Sequence, residues 1–123
     1  MTDITRDELE RRLGADDLVV LDVRTAAEFS GQAGYPCDAR QGHIPGAHHV
    51  DVQELLGAPD PAVIPSLVGA PAGAEVAVYC HSGSRSAMAA QVLIAAGYDA
   101  RNYVGSWHEW AADDALPCEA GLR

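Results

Sequence analysis

Two short runs of apolar, mostly β-branched residues constrain the fold of this 123-residue chain more than any other feature. They are LVVLDV at 18–23 and EVAVYC at 75–80. The first run is continuous and the second alternates before it becomes continuous. Such runs are typical of strands that are buried on both faces. The sequence therefore predicts two central strands covered by other elements on each side.

Helix signals alternate with these strand signals along the chain. Thr5 with Glu8, and Thr25 with Glu28, have the spacing of a capping box, so a short helix is predicted after each threonine. Further strands are predicted over 47–52 and 100–105, and a longer helix over 86–97. This alternation predicts one α/β domain over residues 1–123, with a mainly parallel sheet.

The charge of the chain excludes several classes of partner. Its eight basic residues are all arginine and stand against 18 acidic residues, which gives a formal net charge of −10. A surface of this kind repels nucleic-acid phosphates and anionic lipid headgroups, so neither partner is expected. The polar amino terminus and the lack of a long apolar run lead us to expect a cytoplasmic protein.

The cysteines and histidines give no sign of a disulfide framework or a metal site. Cys37, Cys80 and Cys118 are odd in number and irregular in spacing, so free thiols in a reducing compartment are expected. His48 and His49 are neighbours on a predicted strand and would point to opposite faces. We therefore expect no metal ion.

Cys80 is the strongest candidate for a reactive group. It ends a predicted strand, and a tight turn at 82–86 leads directly into the predicted helix. The unpaired N–H groups of such a turn and the helix dipole both stabilise an anion, while Gly83 lets the loop bend inward. Arg85 adds a fixed positive charge. We therefore predict a lowered pKa for Cys80, against the alternative of an inert buried cysteine.

Four motifs in order then resemble the rhodanese family. The loop C-H-S-G-S-R-S at 80–86 is similar to the active-site loop of that family. The other three are L-D-V-R-T-A-A-E-F (21–29), G-H-I-P-G-A (42–47) and N-Y-V-G-S-W-H-E-W (102–110). Together they cover nearly the whole chain, and the last motif is most similar to the thiosulfate sulfurtransferase branch.

The resemblance implies a doubly wound domain with a central, mainly parallel five-stranded sheet flanked by helices. It also implies a sulfurtransferase in which Cys80 accepts sulfur from thiosulfate or a similar donor and holds it as a persulfide. The acceptor would be cyanide, a small thiol or a protein thiol. The substrate-binding residues implied are His81, Ser82, Gly83, Ser84, Arg85 and Ser86.

The resemblance assigns other positions less directly. It implies that Asp22 and Arg24 hold neighbouring loops through ion pairs rather than taking part in catalysis. The position of a donor-binding arginine in two-domain relatives is occupied here by Glu28, so we expect the Glu28→Ala change to cost little catalysis. Arg40 is the candidate to replace that arginine. Cys37 and Cys118 are weaker candidates for resolving the Cys80 persulfide.

Two other functions stay open. Some phosphatases and arsenate reductases share this fold, but they place five residues between cysteine and arginine, whereas four separate Cys80 from Arg85. The narrower ring favours a single sulfur atom over a tetrahedral oxyanion. The second of these is a module that relays persulfide to a protein partner. The sequence alone does not distinguish such a module from an enzyme that turns over thiosulfate.

Overall fold

A computed structural model describes residues 3–121 of the chain. Within that range one sheet has four parallel strands in the order β2-β1-β3-β4. Their bounds are β1 Val19–Asp22, β2 His48–His49, β3 Glu75–Tyr79 and β4 Asp99–Asn102. The α/β class and the parallel sheet are confirmed.

The predicted fifth strand is wrong for the residues described. The amino-terminal segment reaches the edge of the sheet beside β4, where the Ile4 N–H donates to the carbonyl of Asn102 at 3.1 Å. A strand pair needs a repeating ladder of such bonds. Capping by Thr5 starts a helix almost at once, so the segment does not continue as a strand.

Among the residues described, six α-helices precede, connect and follow the strands, with a 3₁₀ turn at Pro61–Val63. They are α1 Arg6–Arg11, α2 Ala26–Ser30, α3 Val52–Leu56, α4 Ile64–Val68, α5 Ser84–Ala95 and α6 Ser106–Ala112. Both predicted caps form, because Thr5 accepts from the Glu8 N–H and Thr25 forms a complete capping box with Glu28. The helix predicted over 86–97 begins two residues earlier, directly after Gly83.

The sheet separates two apolar clusters, which is why its strands are apolar on both faces. Alternate residues of the β3 segment pack toward opposite sides: Val78 and Cys80 join the cluster against α3, α4 and α5, whereas Tyr79 joins the cluster against α1, α2 and α6. Burial of apolar surface on both faces is the main force that holds this arrangement together. No helix in residues 3–121 has both the length and the apolar character needed to cross a bilayer.

Candidate active site

Cys80 directly follows β3 at the edge where all the parallel strands end, which is where ligands collect in open α/β sheets. The start of α6 fixes its backbone. Its N–H donates to the Ser106 hydroxyl at 3.1 Å, and its carbonyl accepts from the Trp107 N–H at 2.9 Å. The residue is only 1% exposed. The thiol is therefore held in one position beneath the loop that follows it.

Hydrogen bonds around the sulfur favour its ionised form. The Gly83 N–H lies 3.1 Å from Sγ, and the Ser86 hydroxyl lies 3.4 Å away. Burial alone would raise the pKa of Cys80, but the Ser86 hydroxyl and the N–H groups of Ser86, Gly83 and Ser82 together lower the pKa below its ordinary value. The arrangement suits a nucleophilic thiolate.

Gly83 is required at its position for two reasons. Its φ is +98°, a left-handed conformation that residues with a side chain rarely adopt. A Cβ added there would also lie 2.7 Å from the carbonyl oxygen of Val104. The loop therefore passes so close to the end of β4 that only glycine keeps the Gly83 N–H on the sulfur.

Asn102, which was not among the predicted site residues, organises the loop from the neighbouring strand. Its side-chain oxygen accepts from the Ser86 hydroxyl at 2.7 Å, and its amide nitrogen donates to the Gly83 carbonyl at 3.2 Å. A hydroxyl has one proton, so Asn102 competes with Cys80 for the hydrogen bond from Ser86. The signal available in the sequence was a polar residue within the strand predicted over 100–105, which in the structure ends at Asn102.

Ser106 is a second residue that sequence reasoning missed. It is fully buried, and it is the one non-glycine residue within 3–121 whose φ, +54°, is positive. Its hydroxyl donates to the Tyr103 carbonyl at 2.8 Å and lies 4.0 Å from the Cys80 sulfur. Backbone strain of this kind is kept where the surroundings require one geometry, and here that geometry supports Cys80.

Arg85 does not stand as a free cation. Its guanidinium donates both Nη groups to the carboxylate of Glu28, at 2.8 and 3.2 Å. Burial raises the pKa of Glu28, but the bonds from Arg85 and from the Thr25 N–H outweigh it and lower the pKa to about 2. In the sequence, Glu28 stood out only because it replaces the donor-binding arginine of two-domain relatives. In the structure, its carboxylate holds Arg85 of the loop in place.

We expect the Glu28→Gln variant to lose stability in a pH-dependent way. Glu28 has a folded pKa near 2 against an ordinary value of 4.5, so its stabilisation, about 3 kcal/mol, is complete above the higher value and is lost as the pH falls toward 2. Urea denaturation should show that the difference between wild type and variant shrinks by about 2 kcal/mol from pH 7 to pH 3.

The exposed Glu10 supplies the matched control, since Glu10→Gln should change stability by less than about 0.5 kcal/mol at both pH values. A Glu28→Gln difference that stays constant with pH would contradict the ion pair.

Asp22 and Arg24 form a buried ion pair, with 2.7 Å between Nη2 and Oδ2. The Arg24 guanidinium also donates to the Gly42 carbonyl and lies over the rings of Tyr79 and Trp107. The pair thus ties the segment that begins at Gly42 to the end of β1.

The structure gives no support to Arg40 as a donor-binding residue. Its guanidinium donates to four backbone carbonyls, at distances of 2.8 to 3.1 Å. They belong to Trp110, Ala111, Asp113 and Leu116. A donor group used in this way holds the carboxyl-terminal segment and is not directed at Cys80.

The remaining loop residues differ in how they face the sulfur. The His81 ring lies outside, against Asp38 at 3.0 Å, with the ring of Tyr35 over it. Ser82 contributes through its N–H, and the Ser84 side chain is exposed on the first turn of α5. The thiol of Cys118 is half-buried, and burial raises its pKa, which is the opposite of what a nucleophile needs.

Comparisons with solved structures give the fold. A crystal structure described as a probable thiosulfate sulfurtransferase is 43% identical, with a TM-score of 0.81 over 95% of this chain and 47% of its own. An anaerobic ergothioneine biosynthesis enzyme from Chlorobium limicola reaches a TM-score of 0.86 over 97% of this chain and 28% of its own. At 23% identity, the second likeness shows the fold alone.

Curated relatives agree with this result. SseB of Mycobacterium tuberculosis is 36% identical over 118 residues, which are 90% of this chain and 41% of that protein. A thiosulfate sulfurtransferase of Pseudomonas aeruginosa is 33% identical over 94% of this chain and 45% of its own length. The chain thus spans less than half the length of these relatives. The family model described as a rhodanese-like domain matches residues 5–113, and the chain therefore belongs to the rhodanese-like domain family.

Proposed function

We propose that the chain is a sulfurtransferase whose residues 1–123 form a single rhodanese domain. The Cys80 thiolate attacks the outer sulfur of thiosulfate or a similar persulfide donor. A new S–S bond forms and the S–S bond of the donor breaks. The leaving group takes the bonding electrons: it is sulfite when the donor is thiosulfate and a thiolate when the donor is a persulfide. A thiophilic acceptor, either cyanide or a thiol, then removes the outer sulfur and regenerates the thiolate. The reaction needs no metal or organic cofactor.

The observation that carries this proposal is the set of hydrogen bonds on Sγ. The N–H groups of Ser82, Gly83 and Ser86 all lower the pKa of Cys80 against the effect of burial. Donors that stabilise a thiolate also suit the outer sulfur of a persulfide, which is likewise an anion. We assign substrate binding to the loop from His81 through Ser86, with Cys80 as the catalytic residue.

Arg85 contributes as a fixed charge beside the sulfur. Its bonds to Glu28 raise the pKa of Arg85, and the charge on Cys80 raises it further. Glu28 accepts one bond from each Nη group, so this edge of the guanidinium is already engaged. The four-residue spacing between Cys80 and Arg85 is what favours sulfur over phosphate as the group that the loop receives.

The redox state of the cysteines bears on the cellular compartment of the protein. The three cysteines are free thiols in the part of the chain that the structure describes. A persulfide carrier depends on thiols that stay reduced, so we propose the cytoplasm as its location.

Steady-state assays test the proposal. With thiosulfate as donor and cyanide as acceptor, we expect turnover with a kcat/KM at least about 100-fold above that for hydrolysis of a chromogenic phosphate ester. Donor persulfides run in parallel distinguish a relay module, which would use them and leave thiosulfate untouched. Faster hydrolysis of the phosphate ester would overturn the assignment.

A further inference from the structure

Four metal-ligating side chains converge on the outer side of the catalytic loop. Cys37 and Asp38 come from the turn before Arg40, His81 follows Cys80, and His108 lies on α6. Each offers one ligand atom, and these atoms all lie within 4.8 Å of one another. Thiolate, carboxylate and two imidazoles are the ligand types that zinc binds in proteins.

Asp38 is the centre of this cluster, and its hydrogen bonding is incomplete. Its side chain is only 1% exposed. Oδ1 lies 3.0 Å from Nε2 of His81 and 2.8 Å from Nδ1 of His108. Oδ2 is buried without a hydrogen-bond partner among the described residues. A buried carboxylate left partly unsatisfied is costly, and a cation bound to Asp38 would offset the cost of burying its negative charge.

We propose that Cys37, Asp38, His81 and His108 bind one divalent transition-metal ion, with zinc as the natural candidate. Bond lengths of about 2.0–2.3 Å in a tetrahedral site separate neighbouring ligand atoms by roughly 3.4 Å. The contacts of Asp38 with the two histidines are already about that short. The other pairs of ligand atoms lie within 4.8 Å of one another and must approach by roughly an ångström. The site therefore needs only a small local adjustment.

The side chains that can move to complete the site are exposed. Cys37 is exposed, and the His108 side chain is 53% exposed. Cys37 and Asp38 are adjacent, but they lie in a turn closed by the Asp38 N–H on the Tyr35 carbonyl. A turn does not force neighbouring side chains to opposite faces, as a strand does at His48 and His49.

Metal binding requires each histidine ring to coordinate through a nitrogen that carries no proton. A neutral imidazole carries its one proton on either ring nitrogen. Binding through Nε2 of His81 and Nδ1 of His108 moves those protons to the other ring nitrogens. Cys37 releases its thiol proton to water, since thiolate is the ligand form. The bound ion would link the 35–38 segment to the loop beside Cys80, and the site does not depend on the sulfur-transfer activity.

Cobalt binding tests the site with a spectroscopic readout. In a Cys80→Ser background, which removes the buried thiol as a ligand, Co²⁺ titration should give one ion per chain. The spectrum should show a thiolate-to-cobalt charge-transfer band and the visible bands of four-coordinate Co²⁺, and Zn²⁺ should displace them. Adding Cys37→Ser should abolish the charge-transfer band and weaken binding at least about 10-fold.

Two further variants make the result decisive. Cys118→Ser should leave the spectrum unchanged, whereas His108→Gln, on an exposed side chain, should weaken binding by a similar factor without affecting the fold. Circular dichroism confirms that each variant is folded. An unchanged charge-transfer band after Cys37→Ser, or no stoichiometric binding in the Cys80→Ser protein, would overturn the site.

Discussion

Incubation with thiosulfate should add the mass of one sulfur atom to the wild-type chain and none to the Cys80→Ser variant. The Ser86 hydroxyl and the N–H groups around Sγ lower the pKa of the Cys80 thiol below its ordinary value, against the effect of burial. A serine hydroxyl in the same place stays protonated and is a far weaker nucleophile. We expect the rate of sulfur transfer to fall by roughly 10³-fold or more, to background. Intact-protein mass spectrometry after removal of excess donor measures the adduct.

The other cysteines provide the controls for this experiment. Cys37→Ser and Cys118→Ser should both take up one sulfur like the wild type, because neither side chain has the hydrogen bonds that surround the Cys80 sulfur. The pH dependence of alkylation gives an independent readout of the Cys80 thiolate. Sulfur found on the Cys80→Ser chain, or a Cys80 that is alkylated with the pH profile of an ordinary thiol, would refute the proposed function.

The Gly83→Ala change should disable the site almost as completely. A non-glycine residue at φ +98° is strained by about 1–3 kcal/mol. The added Cβ also meets the Val104 carbonyl at 2.7 Å, so the loop must move. Movement takes the Gly83 N–H off the sulfur, and loss of one such donor typically costs about 10²–10³ in rate. Sulfur transfer and urea denaturation measure the two effects.

Gly73→Ala is a matched control for this prediction. Gly73 has nearly the same φ, +96°, but a Cβ added there meets nothing within 4 Å. The Gly73→Ala variant should therefore lose stability through backbone strain alone, and its rate of sulfur transfer should be unchanged. If Gly83→Ala transfers sulfur as fast as Gly73→Ala, then the close approach of the loop to β4 is not what holds the donor in place.

The ion pair between Glu28 and Arg85 changes the role that can be assigned to the arginine of the loop. From the sequence, Arg85 was predicted to supply a fixed positive charge, and the Glu28→Ala change was predicted to cost little catalysis. In the structure, the partly buried Arg85 and the buried Glu28 form an ion pair at 2.8 Å. The groups that favour negative charge on the Cys80 sulfur are the Ser86 hydroxyl and backbone N–H groups, in a chain that carries a net charge of −10.

Local patterns predicted most of the frame and the position of Cys80 at the end of a buried strand. The apolar run into Cys80, the capping box at Thr25 and the glycine at position 83 are each short-range signals, and each element formed where its signal lay. The strand count was wrong because the fifth strand came from the family resemblance, while the segment before Thr5 makes a single backbone bond to β4. The bonds of Arg40 to four backbone carbonyls could not be predicted, because no local signal shows which carbonyls surround a guanidinium.

The sequence by itself determined that this chain is a parallel α/β domain with a cysteine delivered to the end of a buried strand. It did so because hydrophobic periodicity and helix caps act over a few residues. Only the tertiary structure decided which distant side chains meet. Arg85 and Glu28 are 57 positions apart, and Asp38 meets His81 and His108 only once the turn, the loop and α6 are packed together. Such contacts depend on packing geometry, which no repeating pattern along the chain encodes.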